Sequence, residues 1–500
     1  MNDELLPIPD WVARRASTYA DHTAIETPSG DRVSYAELDG RVGRTAAALA
    51  VLGAKAGMPI ALLARAGLDF AVLAQAIPRS SAVLMPLNTR LTSDELAYQL
   101  DDAGAGLLLA DGAHLEQARA AAVGGGVRVL AIESELPQGT AVIDGTESLD
   151  EDAVHSLIYT SGTTGSPKGV LLTHGNFYWS AVASGENLGV ETADRWLACM
   201  PLFHVGGLSV LLRSAIYGTT AVLHDGFDEK RVNRAIREEG ITLLSVVAVM
   251  LRRMLDADEE RYPPSIRAVL VGGGPVPAEL LERARDRGLP VLQTYGLTEA
   301  TSQVATLSAV DALRKIGSTG LPLSATTIRI DSEGRVAEPG EIGEILVAGP
   351  TVTPGYLRRP EVTAETLRGG WLHTGDLGYL DDEGYLTIAD RRDDLIVTGG
   401  ENVYPAEVEA ALAAHPAILE AAVVGLADEF WGHLVAAVVV LEDELVAPVA
   451  VDLADQLRVT LAGYKVPRRI EFSSEVLPRT ASGKLQRHLV RANLEGSGSE

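Results

Sequence analysis

The stretch Ile158–Val170, IYTSGTTGSPKGV, sets small hydroxylated residues, three glycines, a proline and one lysine between two apolar runs. Small residues let the backbone curve closely around a ligand, Ser161, Thr163 and Thr164 add hydroxyl donors, and Lys168 adds a mobile positive charge. That combination suits a polyphosphate. The G-x-x-x-x-G-K-[ST] spacing of a Walker loop is absent, and strand-like segments, HSLIYT and KGVLLTH, flank the loop on both sides, which argues against a P-loop ATPase or kinase. Taken alone, SGTTGSP suits an exposed hairpin equally well.

Working outward, SYAELDGRVGRTAAALAVLG opens with a capping-box spacing, Ser34 to Glu37, and reads as an amphipathic helix ending near Gly53. The strand-like MPIALLA follows, then an apolar helix, the strand SAVLMPLN, a helix capped at Thr92 and the strand AGLLLAD. The rhythm returns in ITLLSVV, in IRAVLVGGG with a helix from Pro277, and in LPVLQTYG. Alternation of this kind predicts an α/β fold of doubly wound, largely parallel sheets with crossover helices. Ligands in such sheets bind beyond the carboxyl ends of the strands, so Gly272–Gly274 and Tyr295–Glu299 should face one crevice. From about Lys315 to Asp390 the texture shifts to short strands broken by glycine pairs and by DSEG or DDEG turns. The expected organisation is a large unit over 1–390 with a β-rich part at about 315–390, a hinge at 391–394 and a mobile α+β unit over 395–500.

The totals narrow the function. A chain of 500 residues should divide into roughly two to four compact units. Hydrophobic residues at 46% and charged ones at 22% match ordinary soluble proteins with large cores. The 68 acidic residues outnumber the 42 basic ones, and a net charge of −26 repels nucleic acid and anionic lipid. A phosphate-rich ligand therefore needs local cations or amide donors. The single cysteine, Cys199, lies in the apolar WLACMPLF, excludes an intrachain disulfide and reads as an inert buried thiol. No apolar run is long enough to span a bilayer, and MNDELLPIPDW carries no secretory pattern, so a cytoplasmic location without stable membrane insertion is expected.

Beyond the opening loop stand PLFH (Pro201–His204), YGLTE (Tyr295–Glu299), HTGD (His373–Asp376), DRRDDLIVTGGENVYPAEVE from Asp390, and PRTASGKLQR from Pro478. In this order, and over most of the chain, they resemble the signature motifs of the adenylate-forming enzymes: acyl-CoA synthetases, peptide-synthetase adenylation domains and luciferases. The resemblance implies an enzyme that joins a carboxylic acid to ATP, releases pyrophosphate, and passes the acyl group from AMP to a thiol. ATP, Mg²⁺ and coenzyme A are the implied cofactor and co-substrates, a small carboxylic acid the partner, and a homo-oligomer is compatible with it.

The resemblance also implies roles by position. Thr160, Ser161, Gly162, Thr163, Thr164 and Lys168 would surround the phosphates, Lys484 would bring a cation to the reacting carboxylate and α-phosphate, Glu299 would hold Mg²⁺, and Thr298 would contact the α-phosphate. Asp376 and Arg391 would take the ribose, Tyr295 would offer a flat face to adenine, and Gly273 and Gly274 would permit close backbone approach. Asp393 would be the pivot of a rotating small unit, with Gly399, Gly400 and Glu401 lining the pantetheine path. His204 would gate the acyl pocket and thiol tunnel. Without the motifs, Lys484 and Arg391 read as solvated charges, Tyr295 as a core residue and His204 as structural.

Within the family, MPLFHVGGLSVLLRSAIYGTTAVLH, LVGGGPVPAELLERARDRGLPVLQTYGLTEATSQ and Asp390 before the arginine are most similar to the o-succinylbenzoate–CoA ligases of menaquinone biosynthesis. Such a substrate carries two carboxylates, of which only the succinyl one is activated, so the aromatic one needs its own partner. Arg213 interrupts LSVLLRSAIYG, where a helix from His204 would carry it toward the acyl pocket; the alternative is an arginine snorkelling to the surface. Ser209 and Ser302 are further candidates for substrate hydroxyl contacts.

Overall fold

The computed structural model describes residues 8–137, 139–160, 167–274, 276–390, 395–441, 450–473, 476–478 and 485–496. The local signals in the sequence set the frame. Ser34 caps the helix Tyr35–Val51 and Thr92 caps Ser93–Ala103, each through a complete capping box closed by Glu37 or Glu95. The hydrophobic strands after them, Pro59–Leu63, Val83–Pro86 and Leu107–Ala110, pair in parallel because each is followed by a helix that returns the chain across the sheet.

Among the described residues, one seven-stranded sheet contains these strands and carries toward one edge the antiparallel hairpin Val154–Thr160 with Lys168–Thr173, where Thr160 pairs with Lys168 across the opening loop and the short strand Gly355–Tyr356 completes the edge. A nine-stranded sheet carries Arg195–Ala198, Leu243–Val247, Ala268–Gly272 and Val291–Leu297 in parallel. Both sheets are parallel in their interior, but the nine-stranded one finishes in antiparallel strands at both edges and the seven-stranded one at a single edge, a mixture that the alternating pattern did not announce. Helices such as His174–Leu188 and Val205–Tyr217 bury their apolar faces between the layers, in a cluster that includes Phe177, Trp196, Leu208 and Leu212. Cys199 is buried, and its thiol is pushed up to about 12 by desolvation.

The β-rich part is an antiparallel sheet of Thr327–Ser332, Gly343–Ala348, Trp371–Leu380, Leu386–Asp390 and short edge strands. A separate α+β region follows: the long hairpin Ile418–Asp428 with Gly432–Leu441, the strand pair Ile396–Thr398 and Glu401–Val403, and Arg469–Ser473, covered by Pro405–Ala413, Ala450–Thr460 and Arg487–Gly496. The hinge expected at 391–394 lies outside the described residues. No helix among the described residues is long and apolar enough to cross a membrane.

Candidate active site

A cavity of about 520 Å³ opens where the carboxyl ends of the parallel strands meet the hairpin, the β-rich sheet and the C-terminal region. Thr160 and Lys168 reach it from the two hairpin strands, Gly273 from the end of Ala268–Gly272, Thr298 and Glu299 from the turn after Val291–Leu297, and Asp376 from Trp371–Leu380. Most lie at or just beyond a strand end, whereas Asp376 lies within its strand, where the pairing with Gly343–Ala348 shifts register. Ser161, Gly162, Thr163, Thr164, Arg391, Asp393 and Lys484 lie outside the described residues.

The turn that bears Glu299 is tightly specified. A Cβ on Gly296 would lie 1.5 Å from the Ser302 carbonyl oxygen, so only glycine admits this close approach, and Thr301 and Ser302 turn with φ of 54° and 85°. Ser302 lines the cavity as a result. Glu299 accepts a hydrogen bond from the Tyr356 hydroxyl at 2.9 Å, and Lys168 Nζ stands 5.6 Å from the Tyr356 ring centre. Burial raises the Glu299 carboxyl above its ordinary value, although the Tyr356 hydrogen bond and the Lys168 charge oppose that rise.

Tyr295 departs from its expected place. It is 3% exposed, packs with Ile328, Ile345 and Leu386 rather than lining the cavity, and donates its hydroxyl to Asp376 Oδ2 at 2.7 Å. The strand pattern explains the change: Tyr295 falls on the buried face of Val291–Leu297, while Gly296 on the next position faces the cavity. Gly274 is also absent from the cavity wall, which Gly272 and Gly273 supply.

The acyl end is built by the helix Val205–Tyr217. Arg213 lines the cavity at 4% exposure, so it does not snorkel. One guanidinium nitrogen donates to Ser180 Oγ at 3.0 Å, and Ser180 in turn donates to the Thr301 carbonyl at 2.7 Å. The guanidinium also lies 6.0 Å from the Trp196 ring centre. Among the described residues no carboxylate pairs with it, and desolvation lowers its pKa. Ser209 lies one turn earlier but does not line the cavity; its hydroxyl is buried and finds no hydrogen-bond partner among the described residues. The short serine stops where the long arginine reaches on.

The C-terminal region closes the other side. Gly399 and Gly400 turn with φ of 58° and 88°, and a Cβ on Gly400 would stand 3.3 Å from Val247. Their turn delivers Glu401, 3% exposed, between two residues of the large unit: Arg90 at 2.6 Å and His204 Nε2 at 3.0 Å. Burial raises the Glu401 carboxyl, but the His204 hydrogen bond and the charges of His204, Arg90 and Lys465 outweigh it and hold the group below its ordinary value. His204 caps the entry to the Arg213 helix and lines the cavity, so this pair joins the small unit to the mouth of the acyl end.

Residues 12–357 match the model of the AMP-binding enzymes, and residues 407–484 match that of the AMP-binding enzyme C-terminal domain. The chain belongs to the AMP-binding enzyme family. By its relatives it is an AMP-forming acid–thiol ligase. A 2-succinylbenzoate–CoA ligase of Geobacillus sp. (strain WCH70) is 43% identical over 97% of this chain and 97% of its own. The o-succinylbenzoate CoA synthetase of Bacillus subtilis, a double mutant bound to a product analogue, superimposes with a TM-score of 0.92 at 40% identity, covering 97% of this chain and 98% of that one. The same B. subtilis enzyme with its acyl-adenylate intermediate gives 0.75 at 40% identity, covering 97% and 99%. Identity is equal and coverage nearly so, so the two scores record a difference in overall arrangement, and this AMP-binding enzyme is nearer to the one seen with the product analogue.

Several contacts escape a linear reading. Tyr356 touches Glu299, Arg90 touches Glu401 and Ser180 touches Arg213, each across a long sequence separation. His373 sits inside the quoted HTGD, yet its place on the cavity wall beside Glu344, 3.0 Å away, follows only from strand pairing.

Proposed function

We propose that the enzyme converts 2-succinylbenzoate to 2-succinylbenzoyl-CoA through an acyl-adenylate, a step of menaquinone biosynthesis. The observation that carries the choice of acid is Arg213, a permanently charged group buried at the wall of the acyl end with no carboxylate against it among the described residues. A guanidinium does not shed its proton, and an uncompensated buried charge is costly, so an anionic group of the substrate is its natural complement. The ring carboxylate supplies that anion and leaves the succinyl carboxylate for activation.

At the other end, Thr160, Lys168 and Thr298 would bind the phosphates and Asp376 the ribose, with Tyr295 holding Asp376 in place. Ser161, Gly162, Thr163, Thr164, Arg391 and Lys484 take their roles from motif resemblance alone. Mg²⁺ fits this wall: Glu299 brings a carboxylate to the cavity beside Thr298 and Lys168, and a hard cation that accepts few carboxylates and otherwise phosphate oxygens suits such a donor set. When bound, the ion would offset phosphate charge as the carboxylate approaches. Ser302 would meet the acyl group. His204, held by Glu401, would border the thiol's approach along Gly399 and Gly400. ATP and coenzyme A are cytoplasmic metabolites, and the proposal places the enzyme there.

The test is a reaction with ATP, Mg²⁺, CoA and a panel of aromatic and aliphatic acids, followed by mass analysis of the thioesters. The expected product is 2-succinylbenzoyl-CoA with AMP and pyrophosphate. Preference for benzoate or a medium-chain acid would overturn the assigned substrate, and acylation of a carrier protein in place of CoA would overturn the assigned thiol.

A further inference from the structure

Lys465 belongs to the C-terminal region and is 3% exposed. Its ammonium donates to two carboxylates: Glu407 of its own region at 2.7 Å and Glu95 of the large unit at 2.6 Å. Glu95 also closes the capping box of Ser93–Ala103, its second oxygen accepting from the Thr92 amide at 2.7 Å and the Thr92 hydroxyl at 3.0 Å. One carboxylate thus ends a helix with one oxygen and holds the other unit with its second.

The contact belongs to a continuous docking strip. Asn88 donates to the Tyr464 hydroxyl at 3.4 Å, Arg90 pairs with Glu401, and Ala462 is buried in the cluster of Leu87, Leu91 and Leu96. The strip runs directly into the cavity, because Arg90 and Glu401 line it.

We propose that Lys465 is a positioning residue for thioester formation: by holding Glu95 it fixes the arrangement in which Glu401 meets His204. Buried ion pairs give little net stability, since desolvation offsets most of the attraction, but they specify which surfaces meet. The charges also suit a contact that breaks and re-forms. Glu407 travels with Lys465, so the ammonium keeps a partner when the units part, and Glu95 keeps its helix cap. The two B. subtilis structures differ in arrangement from each other, so more than one arrangement exists in this family. The inference rests on the two-step reading above, and its test separates the steps.

Glu95→Gln preserves the cap, since glutamine also closes a capping box, but removes the charge that Lys465 holds. In single turnover, transfer from preformed acyl-adenylate to CoA should slow about ten- to hundredfold, while acid-dependent pyrophosphate release without CoA stays within about twofold. Lys465→Met should slow the same step, and the double variant should be no slower than the worse single one. Unchanged transfer in E95Q, equal slowing of both steps, or multiplied losses in the double variant would overturn the proposal. E95Q decides the matter alone if K465M does not fold. Absence of pyrophosphate release in the unaltered enzyme would contradict the two-step reading instead.

Discussion

Two cations are buried to nearly the same depth in this molecule and treated in opposite ways. Lys465 is clamped between Glu95 and Glu407, whereas Arg213 has, among the described residues, a serine hydroxyl, an indole face and no carboxylate. A third group of buried bases sharpens the contrast. His155 and His174 pack beside Trp11 and are held neutral, His155 well below its ordinary value and His174 at about 4, chiefly by desolvation. A histidine answers burial by staying unprotonated, a lysine can be given carboxylate partners, and an arginine, which keeps its proton, needs an anion to balance it. The unpaired arginine is therefore the position at which the fold awaits something from outside.

The largest test of that contrast removes the waiting charge. Arg213→Leu should lower kcat/KM for 2-succinylbenzoate by about 3–5 kcal/mol of transition-state binding, a hundredfold or more, as measured by CoA-dependent AMP release. The lysine clamp should respond in one half-reaction only, by the smaller factor expected for E95Q.

The neutral histidines should show themselves in stability. Below about pH 6.5 the unfolded chain protonates His174, but the folded protein refuses the proton until about 4, so stability is full above this window and falls as pH drops through it. The expected slope is about 1.4 kcal/mol per pH unit for each such histidine. Urea midpoints between pH 7 and 5 should show it, with a shallower slope in His174→Gln; a flat profile would contradict neutral burial.

The smallest effect concerns Glu299. Tyr356→Phe removes a donor worth about 1 kcal/mol and should slow pyrophosphate release several-fold, with a larger apparent requirement for Mg²⁺. An unchanged Mg²⁺ dependence would remove Tyr356 from the account.

Much of the fold was legible because its signals are local. The boxes at Ser34 and Thr92, the apolar strands at Pro59–Leu63 and Leu243–Val247, and the hairpin around the opening loop all depend on neighbours within a few residues. The helix from His204 was legible too, but the sequence left open whether Arg213 turns inward or snorkels, and its burial came only with the fold. Tyr295 and Ser209 were harder, because which face of a strand or helix meets a cavity depends on the layers packed around it. Least legible were Glu95 and Tyr356. The spacing from Thr92 explains one oxygen of Glu95, but its second partner lies hundreds of residues away, and nothing near Tyr356 in sequence points to Glu299.

The most direct measurement compares two acids on two enzymes: 2-succinylbenzoate and the same keto acid lacking its ring carboxylate, each with the unaltered protein and with R213L. The account predicts that R213L loses activity on the diacid about a hundredfold, yet changes activity on the monoacid by no more than a few-fold, because only the diacid brings the charge that Arg213 lacks. Equal losses on both acids would contradict it.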